Sequence, residues 1–257
     1  MSKITKIIFY IIFSSLLVSC ATKSPYYSIS HNVKEGIKTT DVLFIEPTNQ
    51  IQTDIEKSYL GSGGGLIPCI IDSAIESGRK NSAEKQLNNI KNSIKDLNLQ
   101  EEFITTITPV LADNSWIGYS NINYKVIQKK ETENEIVQKI IKFSNSDSLM
   151  VLTVNYKFCP DFSTMKGIVK IAIYPASNRL IDLSNKRKNK NLKPVYYNEI
   201  SSSFVLESPN KEKEKNTKIW TADGGYQLRN ALSQINLGLK SKLEWQLQNT
   251  DIVSSSK

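Results

Sequence analysis

Few side chains in this 257-residue chain are of the types that do covalent or metal chemistry. There is one histidine, His31, and there are three cysteines, Cys20, Cys69 and Cys159. A serine or cysteine nucleophile needs an imidazole beside it, and His31 sits in a polar stretch near the N-terminus. Ser–His, Cys–His and His–metal constellations therefore have no usable ring. Cys69 and Cys159 alone would leave a tetrahedral metal two ligands short. Asp72, Asp161 and Asp223 could converge as a carboxylate pair, but each stands near glycines or turn residues, where acids cap and hydrogen-bond loops. The run Gly61-Ser62-Gly63-Gly64-Gly65 leads into an apolar helix start. It lacks the Lys-Ser/Thr of a phosphate loop and the spaced glycines of a dinucleotide fold. The chain is read as not an enzyme, with no catalytic residue, no metal site and no bound cofactor.

The clearest chemistry is at the start. Lys3 and Lys6 give a basic n-region, Ile7 to Val18 is apolar except for Ser14 and Ser15, and a small residue precedes Cys20. This is the layout of a secretory signal. The apolar run of roughly 12 residues is too short for a bilayer core that needs ~20. Leu17-Val18-Ser19-Cys20 resembles the lipobox of bacterial lipoproteins. The resemblance implies cleavage before Cys20 and acylation of its thiol and new amine, a covalent lipid being the only prosthetic group. One acyl chain holds a protein marginally, at ~0.8 kcal/mol per buried methylene, and stable anchoring takes more than one signal. Ala21 rather than Asp after the cysteine resembles lipoproteins forwarded to the outer membrane. The expected location is thus its periplasmic face.

Removing residues 1–19 takes away Lys3 and Lys6 and lowers the net charge from +8 to +6 over 238 residues. A moderately basic chain favours anionic neighbours such as lipid head groups or acidic glycans. Export removes it from nucleic acid. Cys69 and Cys159 remain in a compartment where disulfides persist. They could pair, closing a loop of about 90 residues worth roughly 4–5 kcal/mol, or stay as two buried thiols.

Three segments follow: a signal peptide at 1–19, a lipidated tether at 20–40, and a single folded domain at 41–250. Val42 to Ile45 is an apolar run stopped by Pro47, which suits a buried strand. Residues 48–62 read as a polar loop. A long helix follows from Leu66 to about Leu97, with Ala83, Leu87, Ile90 and Ile94 on one face opposite Lys80, Lys91 and Lys95. A short helix spans 101–111 and ends around Pro109. A strand lies over 116–128 and a helix over 131–143, with acids at the front and Lys139 and Lys142 at the back. Strands over 149–158 and 165–174, joined by six residues, make an antiparallel hairpin. A polar connection at 175–194, a strand at 195–206 and a charged loop at 209–218 precede a final helix that opens at Thr221, a good N-cap. The fold class is α+β: a mixed, largely antiparallel sheet of about four or five strands, with helices packed on one face. Lys186, Arg187, Lys188, Lys190 and Lys193 cluster in one connection without an acid. They are the candidate contact for an anionic partner.

This element order resembles the α/β sandwich of several envelope lipoproteins, among them the activator of penicillin-binding proteins and the curli secretion channel. At residue level the chain is also similar to a group of uncharacterised outer-membrane lipoproteins. In that group a glycine run precedes an apolar helix start, here Gly63 to Ser73, and Trp-x-x-Asp-Gly-Gly opens the last helix, here Trp220 to Gly225. These resemblances imply a lipid-anchored, non-catalytic binding or accessory module. It would dock on a periplasmic protein or an anionic envelope polymer, and its oligomeric state is left open. The alternative is an oligomeric secretion-channel-like subunit. That would need apolar-faced hairpins of ~10 residues per strand, and the loops at 159–164 and 175–194 are respectively too short and too polar for it.

Overall fold

The computed structural model describes residues 27–47, 50–54, 66–113, 116–126, 132–184 and 193–249, with backbone only for 66–76 and 119–126. In chain order the elements are α1 (His31–Gly36), β1 (Thr40–Glu46), β2 (Ile51–Thr53), α2 (Leu66–Ser93), α3 (Leu99–Asp113) and β3 (Tyr119–Val126). They continue as α4 (Glu133–Ile141), β4 (Ser148–Phe158), β5 (Thr164–Pro175), α5 (Asn178–Leu183), β6 (Tyr196–Val205) and α6 (Lys213–Gln248).

The strands form one mixed sheet in the order β3-β1-β4-β5-β6, with β2 also on β4. β1 is parallel to β3 and to β4, and β2 continues the line of β1, running parallel to β4 from Ile51↔Tyr156 to Thr53↔Phe158. The two antiparallel ladders, β4 with β5 and β5 with β6, are the longest. The class is therefore the expected α+β with a mixed, largely antiparallel sheet, and β2 takes it to six strands.

Which face each helix covers follows from the strand sequences. Val42 and Phe44 of β1 turn to one face, and Leu43 and Ile45 turn to the other; all four are buried. An apolar run without alternation means burial on both sides. The first face carries the main core: Met150, Leu152, Val154 and Tyr156 of β4 and Val169, Ile171 and Ile173 of β5, under apolar stripes of α2, α3 and α6. The second face holds a smaller cluster, Leu43, Ile45, Leu149, Val151, Ala172 and Tyr174, covered by Ile136 and Val137 of α4. Placing every helix on one face is corrected here, because α4 lies on the other. A capping box starts α4: Thr132 Oγ1 accepts from Glu135 N (3.3 Å) and Thr132 N donates to Glu135 Oε2 (2.8 Å).

The stretch expected to be tether is packed from Tyr27 onward. Tyr27 N donates to Tyr197 O (3.0 Å) and Tyr197 N to Tyr27 O (3.1 Å). Ile29, Val33 and Ile37, spaced by four, are all buried, Val33 within α1 and the other two flanking it. Residues 20–26 lie outside the described residues. α3 runs through Pro109 to Asp113 rather than ending there. The connection after β5 contains α5, N-capped by Ser177.

The last helix differs most from expectation. It begins at Lys213, and Thr221 is not a cap: its hydroxyl bonds back to Thr217 O (3.0 Å). The break comes at Ala222–Gly225, where Asp223, Gly224 and Gly225 have φ of 49°, 63° and 77°. Trp220 to Gly225 is thus a junction between two helical arms. In the first arm Trp220 is fully buried against Phe158 and Phe204 and donates from Nε1 to Phe162 O (2.6 Å). In the second, Leu228, Leu232, Ile235, Leu239, Leu243 and Leu247 lie in the main core, as the leucine spacing foretold. Its Asn236 accepts from the buried Tyr156 hydroxyl (2.7 Å).

The outer edge of β6 is partly closed. Asn198 Oδ1 accepts from Glu199 N (2.8 Å), and Lys242 Nζ donates to Ser201 O (2.5 Å).

At Gly225 a Cβ would lie 2.9 Å from Ser93 Oγ and 3.2 Å from Ser93 O, whereas at Gly224 it would meet nothing within 4 Å. Both glycines have positive φ, so each alanine substitution carries about 1–2 kcal/mol of left-handed strain. Gly225→Ala must also move the end of α2, and we expect it to lower unfolding free energy in urea by clearly more than Gly224→Ala does.

Candidate functional site

The two ends of the hairpin sheet, about 35 Å apart along β5 at ~3.3 Å per residue, carry different chemistry. At one end the chain arrives at Tyr27, α1 and α5 pack together, and β6 begins. Asp147, just before β4, organises this end. Its Oδ2 accepts from Lys38 N (3.0 Å) and Thr39 N (3.3 Å), and Arg179 lies 3.5 Å from Oδ1. Arg179 also donates to the Gly36 carbonyl. Burial pushes the Asp147 carboxyl up, but donors from Lys38, Ser177 and Thr39, with the Arg179 charge, outweigh it and hold the group below the ordinary carboxylate range.

Lys193 is exposed at this end, at the approach to β6. Lys186, Arg187, Lys188 and Lys190 precede it in the same connection and lie outside the described residues, as does Cys20. The exposed rings and chains here are Tyr27, 46 % exposed, and Leu183, 45 %. Tyr27 meets Tyr197 edge to face at 6.4 Å.

The other end is the turn between β4 and β5. Cys159 is a free thiol. Its Sγ donates to Asp161 Oδ1 (2.8 Å) and accepts from Thr164 N (3.1 Å). The same carboxylate oxygen accepts from Ser163 N and Oγ. Burial raises the Asp161 carboxyl, but these donors from Cys159 and Ser163 lower it further, to below its usual range. The turn is stapled from outside: Asn216, fully buried, donates from Nδ2 to Asp161 O and Asn210 O (both 2.8 Å). Phe162 takes φ 59° with its ring packed on Phe158. Asp161 Oδ1 and Cys159 Sγ are thus both engaged within the turn. Cys69 lies in the backbone of α2, and its side chain is outside the described residues. Asp72 is likewise in the backbone of α2, with its side chain outside the described residues, and Asp223 is exposed at the helix junction. No group of three His, Cys, Asp or Glu with metal-holding geometry occurs among the described residues.

A third polar corner escaped the sequence reading. Glu133, first residue of α4, faces Lys170, Tyr174 and Tyr197 on the second sheet face. Burial raises its carboxyl, with Lys170 opposing, and burial pushes the Tyr174 hydroxyl up to about 12, helped by Glu133. The register Lys170↔Glu199 sets an opposite charge directly across from the lysine. The acids at the front of the helix were plain in the sequence, but only the sheet register brings Lys170 beneath Glu133.

No protein-family model and no curated protein matches this chain. Among solved structures it is similar to the hypothetical protein CT253 from Chlamydia trachomatis, at 11 % identity over 81 % of this chain and 98 % of that one, with a TM-score of 0.27.

The depressed Asp147 carboxyl ties stability to pH. A carboxyl lowered in the fold contributes stability above its unfolded pKa, and that contribution is lost as pH falls through the folded value. Asp147→Asn is expected to cost roughly 1.5–3 kcal/mol at pH 7, the worth of hydrogen bonds to a charged group. The gap to the parent should shrink as the pH is taken from about 4 downward, read by urea unfolding at each pH.

Proposed function

We propose that this chain is a lipid-anchored protein of the bacterial outer membrane, held at its periplasmic face by acylated Cys20, and that it serves there as a non-catalytic binding module. The observation that carries this reading is the position of the lipobox-like Leu17-Val18-Ser19-Cys20 relative to the fold. Only six residues lie between Cys20 and Tyr27, where the chain is already bonded to Tyr197 at the start of β6. Fully extended, the seven steps from residue 20 to residue 27 reach about 25 Å. The end of the sheet carrying Tyr27, α1 and α5 therefore faces the bilayer in this reading.

The connection holding Lys186, Arg187, Lys188, Lys190 and Lys193 leads into that same start of β6. Its five cations would meet the head groups, or an anionic polymer lying on them, at ~1 kcal/mol per basic residue near the surface and within a Debye length of ~8 Å. Lipid and polybasic segment together make the two signals that stable anchoring needs.

Labelled palmitate should be incorporated by cells making the parent chain and not by cells making Cys20→Ser, whose product should leave the membrane fraction. Purified mature protein should float with vesicles containing phosphatidylglycerol. Alanine at Lys186, Arg187 and Lys188 should weaken that association at low salt and have little effect at high salt. An unlabelled parent chain would sink the anchor, and a ring-shaped oligomer in detergent would favour the channel-like alternative.

A further inference from the structure

We infer, resting on the anchored-module reading, that the end of the fold nearest Cys20 touches the lipid directly, with the Phe143 ring entering the bilayer interface and Tyr27 and Leu183 at its head-group boundary. Three chain segments bring these side chains to one end of the sheet. Tyr27 is bonded to Tyr197 at the start of β6. Leu183 closes α5, just beyond the end of β5, and lies against α1, where a Cβ on Gly36 would come within 2.9 Å of its Cδ1. Phe143 follows α4 in the loop that leads to β4. That loop is tied to the start of β1: the hydroxyls of Ser144 and Ser146 donate to Asp41 Oδ2 (2.7 Å) and Oδ1 (2.9 Å). β1 and β4 start side by side there, at Thr40↔Ser148, and Ser148 faces Pro175 at the end of β5.

Phe143 is 86 % exposed, the most of any large apolar side chain among the described residues. A loose loop could fold such a ring away from water, but this one is held. Phe143 N donates to Ile140 O (3.0 Å) and Ser144 N to Ile141 O (3.3 Å), closing the last turn of α4. With the two serines fixed on Asp41, the ring is carried outward by a backbone bonded on both sides of it. A single exposed apolar residue is ordinary on a protein surface; the place of this one gives it a partner. Six residues lie between Cys20 and Tyr27, so in the anchored reading this end meets lipid within a span of about 25 Å. Aromatic rings and leucine are the side chains that lie at such a boundary. Charge adds little, because Lys38, Lys142 and Arg179 share this end with Asp41, Asp147 and Asp182. The contact is therefore apolar and suits zwitterionic head groups as well as anionic ones. That sets it apart from the salt-sensitive attraction expected of the basic connection before β6.

The mature chain acylated on Cys20 would be made with 4-fluorophenylalanine and placed in phosphatidylcholine bicelles, with and without doxyl-labelled phosphatidylcholine, for fluorine NMR. Loss of Phe9 and Phe13 with the signal peptide leaves six of the eight phenylalanines, and the Phe143 signal is the one missing in Phe143→Leu. The nitroxide should abolish the Phe143 signal and leave those of the buried Phe103 and Phe158 sharp, and high salt should change neither result. The mature chain carrying Cys20→Ser, in excess lipid, should show the same selective loss to a smaller extent. Insertion of the ring and the acyl anchor thus succeed or fail separately. A Phe143 signal as sharp with the nitroxide as without it, or a loss that high salt reverses, would overturn the inference. So would a dimer in detergent that Phe143→Ser disperses, because the ring would then pack on a second copy. A parent chain without palmitate, together with a Phe143 loss retained in the Cys20→Ser chain, would remove the anchor and leave the insertion standing.

Discussion

The fold turns on how one buried indole is held. Trp220 fills the space between Phe158 of β4 and Phe204 of β6 while its N–H is given to the carbonyl of Phe162. An indole N–H in an apolar core must find an acceptor or forfeit the desolvation cost of the group, of order 1–3 kcal/mol. Phe162 offers its carbonyl because its own φ of 59° turns the hairpin there, and Asn216, one turn earlier in α6, holds the neighbouring Asp161 carbonyl. The first arm of α6 is thereby fixed to the hairpin tip. The second arm must cross the sheet at another angle to bury its leucines, and the three left-handed residues between them make the change of direction.

That change of direction also locates α2. Gly225 passes so close to Ser93 and Ile94 that no side chain fits. Arg229, a turn later, bonds Asp96 at 2.6 Å and reaches Ser93 O. α2 is thus set against α6 at its C-terminal end, and its next apolar residues, Leu87 and Ala83, run outward past β2.

Much of this was legible in the residues. The β4–β5 hairpin, the leucine-striped second arm and the stripe on α2 follow from periods of two and of three to four, which depend only on which side of an element meets the core. The double-sided burial of β1 was equally present in Val42-Leu43-Phe44-Ile45, a run with no polar alternate, and it implied a helix on each face. α1 and α5 were missed because six residues give too short a window for a period to stand out, although Ile29, Val33 and Ile37 keep the right spacing. The junction in α6 was read as a helix start because Thr221 and two glycines look the same in a cap as in a break. Only the packing of Trp220, eight residues into the helix, separates the two. At the candidate sites the cysteine turn and the polar corner at Glu133 depend on register and on which atom each donor reaches, and neither is written in composition. β2 was hidden in a polar loop because three residues carry almost no pattern, and its place comes from extending the line of β1.

The margin of the sheet along β6 is partly finished. Along β6 the free N–H of Glu199 is taken by the side chain just before it, and the carbonyl of Ser201 is taken by an ammonium from α6. An exposed strand whose groups are already occupied gives a neighbouring copy nothing to copy. Crowded side by side, such chains therefore offer fewer groups for ribbon pairing along that margin.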